Sequence, residues 1–360
     1  MTGPSVLALA GDMTGPTLWR CLQPITALEK AGYPCGWDRM HNDAIGTIAP
    51  MYDGYLLPRI SWPPEHRRLA EAWFASIRAV GKFTVYDCDD DIFTAAESHR
   101  RVELDWTEGK SFEQLEAERF ERIWAMQQCD GVTVSTQRLA TIVRSFTSRP
   151  VIVVPNAIDL PWFRSVVQAT RRHIPGLTIG WAGGRRHDRD VEDMASAWGR
   201  IARRYSAVTF VVQGHQPDVI REQVPADRLV TLPWMPLETY PAGLREVDIA
   251  CCSAADTPFN RPKSPIKCYE AAAAGAAVVA SPTLYAGTVD HGFSGFIAES
   301  AEEWEDALSQ LIERPALRSM MARRLLRTVE KRHTLAGNMN RWPDAWARIA
   351  EVSRGRLIVA

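Results

Sequence analysis

A chain of 360 residues with a formal charge of −1, 46% hydrophobic and 24% charged side chains has the makeup of a soluble globular protein, and its length suits two domains. That composition excludes a disordered chain, a collagen-like repeat and a disulfide-stapled miniprotein. The near-zero charge argues against a dedicated nucleic-acid binder with a broad basic face.

The start, Met1-Thr2-Gly3-Pro4, lacks the basic residues and long apolar run of a signal peptide. The longest weakly polar stretch, Ala271–Ala280, is far short of the roughly 20 residues that span a bilayer. A cytoplasmic protein is therefore expected, with peripheral membrane contact left open. The 7 cysteines are scattered without a Cys-x-x-Cys pair, so they read as buried free thiols rather than zinc ligands.

Along the chain, short apolar runs alternate with longer amphipathic stretches, the pattern of an α/β fold with parallel sheets. Val6–Ala10 reads as the first strand, followed by the loop Gly11-Asp12-Met13-Thr14-Gly15 and a helix from Leu18 to Leu28. Further strands are expected at Tyr55–Leu57, Phe83–Tyr86, Val132–Val134 and Val151–Val154, with helices near Pro64–Val80, Phe112–Gln128 and Gln137–Phe146 between them. Residues Asn156–Gly176, preceded by Pro155 and holding Pro161 and Pro175, show no strand pattern, which marks a domain boundary. A second series follows: strands at Leu177–Trp181, Val208–Val212, Leu229–Leu232, Asp248–Cys252 and Ala277–Ala280, with helices near Val191–Arg204 and Pro265–Ala274. Helices near Ala301–Glu313, Pro315–His333 and Arg341–Arg354 end the chain. Residues 1–155 carry 16 basic and 20 acidic side chains, so the excess of positive charge lies in the remainder.

The stretch Lys263-Ser264-Pro265-Ile266-Lys267-Cys268-Tyr269-Glu270, running on through Ala271–Ala274 to Gly275, has a chemistry of its own. Ser264 suits an N-cap and Pro265 the first helical position. Free backbone N–H groups at such a helix start attract an anion. A lysine in the first turn opposes the helix dipole, so the cost of Lys267 points to a bound anion that compensates it. Glu270 follows three residues later on the same face, where a carboxylate suits ribose hydroxyls.

This stretch resembles the donor-binding signature of family-4-type glycosyltransferases. The order of four further segments supports the resemblance: Val153–Asp159, Ile179–Gly184, Phe210–Gly214 and His291–Phe296. The late helix with Trp342 and Trp346 resembles the family's tail. The resemblance implies a GT-B fold, α/β, with two facing Rossmann-like domains and a C-terminal helix crossing back to the first. It implies an acceptor-side domain over 1–160, a donor domain over 161–338 and the returning helix over 339–360. It further implies a retaining glycosyltransferase whose co-substrate is a nucleotide-diphospho-sugar, UDP- or GDP-linked, with Mg²⁺ not essential and no metal site. Two positions depart from the family. Its first glutamate, eight residues before Glu270, is replaced by Pro262, and a lysine expected five residues after Arg185 is replaced by Asp190.

On this reading the donor is bound by Gly183, Gly184, Arg185, His187, Trp234, Lys263, Ser264, Pro265, Ile266, Lys267 and Glu270. Lys267 and Glu270 are also read as catalytic, together with Asp89, Asp90 and Asp91, because crowded carboxylates at a strand end repel one another and need a compensating role. Gly11, Asp12, Met13, Thr14, Gly15, Arg20 and Arg59 are expected along the cleft on the acceptor side. Asp190 reads as a helix cap. The acceptor stays open among a saccharide, a lipid-linked sugar, a protein side chain and a hydroxylated base in DNA. Two other functions also stand: a nucleotide-sugar-binding protein that has lost catalysis, and another GT-B enzyme such as a nucleotide-sugar epimerase.

Overall fold

The computed structural model of the chain describes residues 3–11, 14–40, 51–94, 110–184 and 188–357. Two parallel sheets of six strands form its frame. The first comprises β1 (Val6–Ala10), β2 (Cys35–Arg39), β3 (Gly54–Pro58), β4 (Phe83–Cys88), β5 (Gly131–Val134) and β6 (Val151–Val153), in the order β2-β1-β3-β4-β5-β6. The second comprises β7 (Leu177–Gly183), β8 (Val208–Gly214), β9 (Leu229–Leu232), β10 (Ile249–Cys252), β11 (Ala277–Ala280) and β12 (Phe296–Ile297), in the order β12-β11-β10-β7-β8-β9. Central strands such as β3, β4, β10 and β11 are buried along their whole length, which is why they read as continuous apolar runs.

Two strands carry no clear signal in the sequence. The edge strand β2 buries only Cys35 and exposes Trp37, Asp38 and Arg39, so its composition has no apolar alternation. The other, β12, is two residues long. The first long helix also differs from expectation. It starts at Gly15, widens into a π-helical turn over Leu18–Leu22, then continues as Gln23–Lys30. The wider turn buries four consecutive side chains, Leu18, Trp19, Arg20 and Cys21. All seven cysteines are buried and free.

Between the sheets the chain crosses at Val154–Asp159. There Ile158 forms a parallel bridge with Thr334, and its N–H donates to the His333 carbonyl at 2.8 Å. The helix Leu160–Ala169 follows, capped by the Asp159 carboxylate, which accepts from Trp162 N at 3.1 Å. After that return crossing the last helix, Arg341–Leu357, packs on the first sheet. Its Trp342, Ala345, Trp346 and Ile349 share one core with Val6, Ala8, Phe83 and Val85. Gly131 in β5 makes the seat: a Cβ there would lie 2.5 Å from Ile349 Cγ1. Gly131→Ala is expected to cost about 1–3 kcal/mol by overpacking. The check is a melting curve together with proteolytic release of the last helix. A variant as stable and as resistant as the parent would mean that the seat adjusts.

Among the described residues no helix is long and apolar enough to cross a membrane.

Candidate active site

In a doubly wound sheet, ligands sit beyond the carboxyl ends of the strands, where the strand order reverses. The reversal lies between β1 and β3 in the first sheet and between β7 and β10 in the second. A cavity of about 530 Å³ lies between these two points and is lined from both sheets.

On the second-sheet side, Gly183 and Gly184 close β7 and line the cavity. Gly214 closes β8 at φ +91°, and a Cβ there would lie 2.5 Å from the Gly183 carbonyl oxygen. Only glycine lets the two strand ends approach in this way. Ser253 and Ala254 follow β10, and Trp234 stands exposed at the rim after β9.

The helix Ile266–Ala274 points its first turn into the same space. Ile266, Lys267 and Glu270 line the cavity from it, as do Lys263 and Ser264 just before it. The start of this helix corrects the sequence reading. Pro265 occupies the cap position with φ −83° and ψ 36°, and no side chain caps the helix. Ser264 is turned away from that task, because its hydroxyl accepts a hydrogen bond from Asn156 Nδ2 at 2.8 Å. Ile266, not Pro265, is the first helical residue. At the other end Gly275 takes the left-handed conformation that a helix C-terminus favours.

Lys267 is half-buried, with its ammonium 5.3 Å from the Trp181 ring. Burial lowers its pKa, while the nearby Asp190 carboxylate opposes that shift. Lys263 sits 4.1 Å over the Phe259 ring. Glu270 is buried and accepts a hydrogen bond from the Tyr240 phenol at 2.6 Å. Burial raises Glu270 to about 7, against the effect of that hydrogen bond and of Lys267.

On the first-sheet side, Thr14, Gly15, Arg59, Asp89 and Asp90 line the cavity. Arg59 follows β3 at φ +50°, a backbone conformation that is strained for an arginine. Its guanidinium stands 3.8 Å from Asp89 and 3.7 Å from Asp90. Burial, helped by Asp90, pushes Asp89 up to about 7. Gly11 lies outside the main cavity and lines, with Arg59, a neighbouring one of about 270 Å³.

Two expected site residues are structural. Arg20 is 1% exposed and does not reach the cavity. It pairs with the buried Asp87 through two hydrogen bonds of 2.9 and 2.7 Å, and also donates to Asn156 Oδ1 at 2.9 Å. Asp91 points into its own turn, accepting from Phe93 N at 3.2 Å, Thr94 N at 3.0 Å and the Thr94 hydroxyl. Asp12, Met13, Arg185 and His187 lie outside the described residues.

Asn156 and Tyr240 line the cavity and had no place in the expected site. Asn156 bridges the sheets, Tyr240 steadies Glu270, and Asp190 and Asn260 are hydrogen-bonded to each other at 2.7 Å. Asn156 stands in the segment Val153–Asp159, which is where a signal for it existed. Two further bonds join the sheets nearby: Thr136 Oγ1 donates to the Pro262 carbonyl at 2.5 Å and Arg138 Nη1 to the Arg261 carbonyl at 3.3 Å. Among the described residues no group of three or more His, Cys, Asp or Glu side chains suits a metal ion.

Residues 176–314, which hold the second sheet, match the family model described as Glycosyl transferases group 1. No curated protein matches the chain. The whole fold is similar to that of sucrose-phosphate synthase from Thermosynechococcus elongatus, at 12% identity and TM-score 0.64, with 100% of both chains covered. It is similar to Anabaena HepE in complex with UDP-glucose, at 15% identity and TM-score 0.63, covering 98% of this chain and 100% of the other. It is also similar to a glycosyltransferase from Rickettsia africae, at 9% identity and TM-score 0.63, covering 97% of this chain and 99% of that one. The architecture is GT-B, with two Rossmann-like sheets whose ligand edges face each other.

Proposed function

We propose that this glycosyltransferase, with its group 1 domain over residues 176–314, binds a nucleotide-diphospho-sugar in the cavity between its sheets and passes the sugar to a hydroxyl acceptor with retention. The observation that carries this reading is the convergence of Lys263, Lys267 and Glu270 on a cavity whose opposite wall holds Asp89 and Asp90. Lys267, Lys263 and the backbone N–H groups that open the helix Ile266–Ala274 hold the diphosphate. Charge grows on the leaving diphosphate as the glycosidic bond breaks, so cations fixed there favour the transition state over the ground state. Glu270, held by Tyr240, accepts the ribose hydroxyls, and Trp234 flanks the base.

The acceptor enters against the first sheet, at Gly15, Arg59, Asp89 and Asp90. A UDP-linked sugar is the favoured donor, because the similarly folded HepE is complexed with UDP-glucose. Domains 1–160 and 161–338, with the helix from 339 returning to the first, are the units that close on the substrates and limit hydrolysis of the donor.

The test is a binding panel of UDP-, GDP-, dTDP-, ADP- and CMP-sugars, repeated across pH with the chosen donor. Glu270 accepts hydrogen bonds best when ionised, and its pKa is raised to about 7. Donor affinity is therefore expected to rise severalfold from pH 6 to pH 8 and level off above. A nucleotide-sugar has no group of its own that titrates in that window, so Glu270→Gln should bind more weakly and flatten the profile. A wild-type profile that is already flat removes Glu270 from the ribose. A panel with no binder at all overturns the reading.

A further inference from the structure

We infer that Asp190, with Asn260 and Ser253, forms the recess that reads the hydroxyls of the donor's sugar, supplying from another part of the chain the carboxylate that Pro262 lacks. The inference rests on the donor reading above.

Asp190 lies at the start of the helix Asp188–Arg204, after β7, and lines the cavity. Its carboxylate reaches beyond its own helix. Its Oδ1 accepts from Ala255 N at 2.9 Å and from Asn260 Nδ2 at 2.7 Å, so the carboxylate is fixed across to the segment that follows β10. Asn260, 2% exposed, is held in turn by the Ala255 carbonyl at 3.0 Å. Beside them Ser253 opens the same segment. It is 5% exposed, lines the cavity, and its hydroxyl has no hydrogen-bond partner among the described residues. A buried hydroxyl left unpaired is costly, and a ligand that pairs it accounts for its retention.

The charges decide which part of the ligand belongs here. Lys263 and Lys267 line the same cavity and suit the diphosphate, whereas a carboxylate repels it. Sugar hydroxyls are donors, and hydrogen bonds to an ionised acceptor are the strong ones. The recess therefore takes a neutral, hydroxyl-bearing sugar and turns away a uronic acid.

Titration calorimetry on the full chain tests this with bare UDP and GDP beside a panel of UDP- and GDP-hexoses and UDP-glucuronate. The quantity read is the affinity for a nucleotide-hexose relative to its bare nucleotide. Asp190→Asn keeps the shape and an oxygen for Ala255 N, and is expected to lower that ratio at least tenfold, with bare nucleotide bound as well as before or more tightly. UDP-glucuronate should gain relative to UDP-glucose in the same variant. Ser253→Ala is expected to lower the ratio severalfold while its melting temperature holds or rises. Equal weakening of bare nucleotide and nucleotide-hexose by Asp190→Asn would overturn the inference, and so would an unchanged ratio in both variants. A wild-type chain that binds neither nucleotide would instead overturn the donor reading, and the two failures are separate results.

Discussion

Replacing Lys267 by alanine is expected to cut sugar transfer by about two to three orders of magnitude while leaving the melting temperature unchanged or slightly higher. The size follows from removing one preorganised charge opposite a developing anion, which typically costs 10²–10³ in turnover. The stability half follows from the lysine's surroundings. Its ammonium is partly withdrawn from water, close to the Trp181 ring, and burial lowers its pKa. The folded chain therefore gains little from that charge until an anion arrives. Donor binding should weaken as well, but turnover should fall further, since the diphosphate carries more charge in the transition state than in the bound donor. Steady-state kinetics beside a melting curve separate these effects. An inactive variant that has also unfolded would withdraw the support for Lys267, and full activity would exclude it from the reaction.

The second large effect concerns stability. Arg20→Met leaves Asp87 buried without its cation, and breaking a buried pair in this way costs about 3–5 kcal/mol. Asp87 is 0% exposed, and its one other side-chain hydrogen bond among the described residues comes from the Thr133 hydroxyl at 2.6 Å. A fall of roughly 10 °C in the melting of the first sheet is the corresponding shift. The double variant Arg20→Met, Asp87→Asn removes both charges and is expected to recover much of the loss, because the penalty belongs to the orphaned carboxylate. A single variant that melts with the wild type would mean that water reaches Asp87. Arg20 also holds Asn156 Oδ1, and Asn156 Nδ2 holds Ser264 beside the donor helix. The same substitution should therefore loosen donor binding from the opposite domain, without any contact between Arg20 and the cavity.

The sequence shows what is local and misses what is made by folding. The strands of both sheets stand out because buried parallel strands need unbroken apolar runs, and β2 escapes because an edge strand with one buried residue does not. Lys267 and Glu270 were legible because helical spacing alone puts them on one face. Ser264 was misread for a non-local reason: it fits an N-cap, but a partner 108 residues earlier takes its hydroxyl. Arg20 and Asp87 are 67 positions apart, so no local pattern announces their pairing, and Arg20 was expected along the cleft instead. Asp190 and Asn260 are 70 apart, and their pairing follows only once β7 and β10 are neighbours at the reversal of strand order. Asp89 and Asp91 are neighbours in sequence with different fates, one facing the cavity and the other tied into its own turn.

The last helix has a consequence for how the chain comes off the ribosome. Trp346 and Ile349, both 0% exposed, fill the same core as Val6 and Ala8. Val6 and Ala8 must therefore wait for residues made far later before their own core is complete. The second sheet, whose strands run from Leu177 to Ile297 and whose cores include helix residues up to Val329, does not wait for the last helix. Although it is synthesised later, it is the part that can finish first, and the nascent first sheet carries its exposed apolar face until Trp342–Ile349 are made.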